Sequence, residues 1–109
     1  MAEPSPEDVK IITLARSARA RAEAAEGAAV RDETGRTYAA AAVALPSLRL
    51  SALQVAVAMA ASSGASELEA AAVVTAGEPG AEGVAAVRDL GQKARILVAG
   101  PDGTLRSTL

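Results

Sequence analysis

Any chemistry in this chain has to be done without histidine or cysteine, because its 109 residues contain neither. That removes disulfides, thiolate nucleophiles, Ser-His and Cys-His pairs, imidazole bases and nearly all zinc ligation. Carboxylates remain as metal ligands, and they would suit Mg²⁺ or Ca²⁺. Asp32 and Glu33 are adjacent carboxylates, but they sit beside the turn Asp32-Glu33-Thr34-Gly35. General acid-base work needs carboxyls in a cleft with shifted pKa values, so a solvated turn is the expectation there. A Ser-Lys pair would need Lys10 or Lys93, the only lysines, and nothing places either beside a buried serine. Gly77-x-x-Gly80-x-x-Gly83 has glycines spaced like a phosphate loop, but it lacks the Walker Lys-Ser/Thr and carries Glu78 and Glu82. Those carboxylates repel phosphate. Tyr38, the one aromatic residue, could stack on a base, but core packing is expected for a lone aromatic in a strand.

The elements that must position these residues follow from local signals. Ser5-Pro6-Glu7-Asp8 starts a helix: Ser5 caps, Pro6 fits the first turn, and the acids favour the positive end of the helix dipole. Val9, Ile11, Ile12 and Leu14 continue it with helical spacing, which predicts a helix over 6–23. Residues 28–32 and 36–43 read as strands joined at Gly35 in a hairpin, and Leu45-Pro46-Ser47 as a break. Residues 48–62 are apolar on nearly every side, which predicts a buried helix ended by Ser62-Ser63-Gly64. Residues 68–75 and 95–99 read as strands buried on both faces, with a short helix over 81–90 between them. Pro101-Asp102-Gly103 is a turn, and 104–109 a further strand. Strand-helix-strand units imply parallel pairing. The fold class is therefore α/β, with a mixed sheet of four to five strands that opens with an antiparallel hairpin.

Composition narrows the partners. The length suits a single domain over 1–109. A net charge of −2 argues against a dedicated nucleic-acid surface. Arg16, Arg19 and Arg21 read as a solvated helix face. Half of the residues are apolar, largely alanine, so elements must approach closely. The bias toward Ala, Arg, Glu, Val and Gly is what a GC-rich bacterial genome would encode. The N-terminus lacks the pattern of a signal peptide, and the charge-free run 50–66 is too short and too weakly apolar to span a bilayer. A cytoplasmic protein without membrane contact is expected.

The order and spacing of these elements resemble the cytidine deaminase family over nearly the whole chain. Gly27-Ala28-Ala29-Val30 and the Gly35 turn are similar to that family's opening strand and turn. The run Ser51-Ala52-Leu53-Gln54-Val55-Ala56 through Gly64 lies where the family has a buried helix opening with Cys-Ala-Glu. Pro79-Gly80-Ala81-Glu82-Gly83 lies where it has Pro-Cys-x-x-Cys, and Ile96-Leu97-Val98-Ala99 with Asp102-Gly103 is similar to its closing strand and turn. The resemblance implies a three-layer α/β/α sandwich.

It also implies a site that this sequence does not furnish. The family's zinc ligands fall on Ser51, Gly80 and Gly83, and its proton-shuttling glutamate falls on Leu53. Its substrate-contacting Asn and Glu fall on Ala40 and Ala42, and its pocket phenylalanine near Ala24. Catalytic zinc requires three protein ligands, and it lowers the pKa of its water from roughly 15.7 to about 7. Acid-base catalysis adds roughly 10²–10⁴-fold, and nothing nearby replaces both. No catalytic residue, metal or cofactor is therefore expected. The expected role is an oligomerising or partner-binding module, with Leu50, Leu53 and Val57 of the buried helix at a dimer or tetramer interface. A nucleoside deaminase with an unrecognised mechanism, and a small-molecule sensor using the relict pocket, are the alternatives.

Overall fold

A computed structural model describes residues 4–109. Helix α1 (Pro6–Ala22) begins as the sequence predicts: Pro6 enters the first turn and the Ser5 side chain accepts a bond from the Asp8 N–H. Strands β1 (Glu26–Asp32) and β2 (Thr37–Ala41) form the opening hairpin. Then come β3 (Val43–Leu45), β4 (Leu48–Leu50), α2 (Ala52–Ser62), β5 (Leu68–Thr75), α3 (Ala81–Leu90), β6 (Arg95–Ala99) and β7 (Leu105–Thr108).

The main sheet has five strands in the order β2-β1-β5-β6-β7. Only β5 and β6 run parallel, joined through α3, and the other neighbours are antiparallel. Alternation along the strands sends Ala70, Ala72 and Val74 to one face, against Ile11, Ile12 and Ala15 of α1. It sends Ala71 and Val73 to the other face, with Leu53, Val57 and Val87 of α2 and α3. The result is the expected α/β/α sandwich, with small alanine side chains letting both helical layers lie close to the sheet.

The strand expected over 36–43 ends at Ala41, and Val43 belongs to β3 of a separate two-stranded sheet. A second boundary also differs from the sequence reading. Residues 48–50 are a strand paired with 43–45, not the start of a helix. The reason lies in Ser51 and Gln54. Ser51 Oγ accepts from the Gln54 N–H at 3.2 Å, and Gln54 Oε1 accepts from the Ser51 N–H at 2.9 Å. This capping box fixes the helix start at Ala52.

The Asp32-Glu33 turn also differs, because Asp32 is buried rather than solvated. It accepts from the Thr34 N–H at 2.9 Å, the Thr34 hydroxyl at 2.7 Å, the Arg36 N–H at 3.0 Å and the Tyr38 hydroxyl at 2.8 Å. Burial alone would raise its pKa, but the bonds from Thr34, Tyr38 and Arg36 outweigh that and bring it from 3.8 to about 2. The unfolded chain therefore binds more protons in this range, so stability is lost as pH falls from about 4 toward 2. Asp32→Asn is expected to flatten that acid limb, read as urea midpoints across the same pH range. Tyr38 is thus tied to a structural carboxylate and packs partly into the core.

Candidate functional site

The functional positions inferred from sequence sit where the N-termini of α2 and α3 approach each other. Ser51 is the N-cap of α2, Gly80 is the N-cap of α3, and Leu53 and Gly83 lie in the first turns. A Cβ placed on Gly83 would stand 2.9 Å from Ser51 Oγ, 3.1 Å from Leu53 Cβ and 3.4 Å from Leu53 Cδ1. Ser51, Leu53 and Gly83 are therefore one contact cluster, although Gly83 lies far from the other two in sequence. The fourth position, Gly80, faces Glu82: a Cβ there would meet the Glu82 carboxylate at 2.5 Å. Glu82 lies over the opening of α3, where its charge suits the helix dipole.

A second anchor holds the segment between β5 and α3. Arg106 of β7 donates to the carbonyls of Thr75 at 3.2 Å and Ala76 at 3.4 Å, and also to Gly77. Arg106 thus holds the chain just after β5, up to Gly77, through backbone carbonyls.

The chemistry of the donor set does not fit zinc. Ser51 offers a single hydroxyl, whose oxygen accepts from the Gln54 N–H as a helix cap. Gly80 and Gly83 offer no side chain, and Leu53 is a hydrocarbon packed between them and the core. Among the described residues, no group of three His, Cys, Asp or Glu is placed to hold a metal ion. Activating a serine requires a neighbouring base; Ser51 meets Gln54 and Gly83.

Two of the inferred positions are buried in the core. Leu53 is 2 % exposed and Ala40 is 9 % exposed. Both belong to the core cluster with Ala28, Val30 and Val73. A cavity of about 180 Å³ lies elsewhere, between α1 and the turn before β7, lined by Val9, Ile12, Arg16, Asp102 and Leu105.

A family model described as cytidine deaminase-like matches residues 4–103. The chain belongs to the cytidine deaminase-like family. Among solved structures, a cytidine deaminase from Burkholderia pseudomallei superposes with a TM-score of 0.80 at 21 % identity, covering 92 % of this chain and 89 % of that one. At that identity the likeness concerns the fold. No curated protein matches the chain. Membership in this family confirms the resemblance read from Gly27-Ala28-Ala29-Val30 and the later motifs.

Two of the three residues expected at a subunit interface point inward. Leu53 and Val57, at 2 % and 9 % exposure, are core residues of the chain itself. Leu50 is half-buried at the end of β4. The helix is buried along one stripe, Ala52, Leu53, Ala56, Val57 and Ala60, and exposes Ala58, Met59 and Ala61. An apolar helix with no polar face can still leave one face to solvent, because alanine is small enough to stay there. No described helix is long and apolar enough to cross a membrane.

Proposed function

We propose that this family member does not deaminate, and that it acts as an oligomerising or partner-binding module. The observation that carries the reading is the contact of Ser51, Leu53 and Gly83. These positions converge in space as a site requires, yet they bring one capping hydroxyl and a leucine side chain. The apolar atoms there strengthen the core instead of lining a cleft.

Zinc content tests the proposal. Protein purified from zinc-supplemented cells is expected to hold far less than one zinc per chain, and a chelator is expected to leave its melting temperature unchanged. Stoichiometric zinc that stabilises the fold, as bound ligands do, contradicts the reading.

A nucleoside deaminase is the second reading. It is favoured by family membership and by the likeness to a cytidine deaminase. It needs a metal and a proton carrier that these four positions do not provide.

A further inference from the structure

The main sheet ends on one side in β2 and on the other in β7, and the two edges are built differently. Strand β7 carries Arg106, and the register shifts where it pairs with β6. Charges and bulges of this kind keep an edge from pairing with another strand. Strand β2 is Thr37-Tyr38-Ala39-Ala40-Ala41, with no charge and no proline, and its pairing with β1 runs without a shift.

The backbone of β2 is half used. Asp32 N–H donates to the Arg36 carbonyl and Ala42 N–H to the Glu26 carbonyl. With Val30 opposite Tyr38 and Ala28 opposite Ala40, antiparallel alternation directs Tyr38 and Ala40 toward β1. The N–H and C=O groups of Thr37, Ala39 and Ala41 therefore point away from β1, the only strand that β2 pairs with among the described residues. Water can satisfy such a row group by group, and an extended strand satisfies it in register.

What flanks the edge points to a second copy. Helix α2 lies across β2 and β1, with α3 on its other side. Successive helical residues turn by about 100°, so with Leu53 toward Gly83 of α3, Val55 and Met59 lie on the opposite flank, above the β2 edge. Met59 is 40 % exposed. Arg49 is the one charged residue between Thr37 and Ser66, so two copies meeting here bring almost no charge into opposition. A stable interface covers about 800 Å² per partner, more than a bare edge, and the apolar α2 flank extends the contact.

We propose that two copies pair antiparallel through their β2 edges, Ala39 opposite its own copy and Thr37 opposite Ala41, to form one continuous sheet. This rests on the oligomerising form of the reading above, and it names the surface. Light scattering is expected to give the wild type a mass of at least two chains of 10.8 kDa, and Ala39→Pro is expected to lower that mass at least twofold. Proline removes an N–H that makes no bond within the domain, and edge strands accept it, so circular dichroism is expected to be unchanged. Amide exchange gives a second readout independent of any variant. Thr37, Ala39 and Ala41 are expected to be protected in concentrated protein and to exchange rapidly on dilution, while Ala40 stays protected throughout. A multichain mass that Ala39→Pro leaves intact, or fast exchange of those amides in the multimer, overturns the edge pairing and spares self-association. A single-chain wild type overturns both and leaves the edge to a strand from another protein.

Discussion

Leu53→Glu, which restores the side-chain type implied by the family resemblance, is expected to cost about 3–5 kcal/mol of stability and to restore no activity. Leu53 is 2 % exposed, and its neighbours are Gly83, Ser51 and the apolar core. A carboxylate there would have no cation in contact, and its surroundings are mainly the apolar core, so burial is expected to favour its neutral form and raise its pKa. The sign of the pH dependence follows. The folded variant holds a proton that the unfolded chain has released, so its stability falls as pH rises from about 4.3 toward the raised pKa, at about 1.4 kcal/mol per unit. Urea midpoints of the variant and wild type should therefore diverge with rising pH. Leu53→Met, of similar volume, should cost less than about 1.5 kcal/mol. A variant as stable as the wild type at neutral pH would mean an open, hydrated site.

Gly27→Ala is expected to be as damaging, through backbone contact. A Cβ at Gly27 would stand 2.0 Å from the Ala15 carbonyl oxygen and 2.7 Å from the Arg19 nitrogen, both main-chain atoms of α1. Neither can yield without lifting the helix from β1, which places the cost at about 3 kcal/mol or more. Gly35→Ala makes the comparison: φ is +87° there but nothing lies within 4 Å of the added carbon. It should cost only about 1–2 kcal/mol, the left-handed penalty. Chemical denaturation of the two variants side by side checks the order.

The sheet was legible where the chain is locally simple. The runs Ala70–Val74 and Ile96–Val98 are apolar without alternation, and they became the two parallel, fully buried central strands. Ser5-Pro6 and Gly91 marked helix ends because caps are local chemistry. The start of α2 was also signalled, by Ser51-x-x-Gln54, but that pair was overshadowed by the apolar residues just before it. Contacts between distant segments were not legible. Asp8 is fully buried and pairs with Arg95 at 2.6 Å and Arg31 at 3.6 Å, joining α1 to the sheet, and nothing in its own neighbourhood announces this. The inward face of α2 was hidden for a related reason: with Ala, Val, Leu and Met on all sides, periodicity cannot say which stripe meets the sheet. The site was legible as a set of positions in order. That Leu53 and Ser51 close over Gly83 is a three-dimensional fact.

Cytidine turnover is the most direct measurement of the central claim. Purified protein at high concentration, supplied with zinc, is expected to leave the absorbance of cytidine and of deoxycytidine flat. Steady conversion to uridine that scales with protein concentration would contradict it.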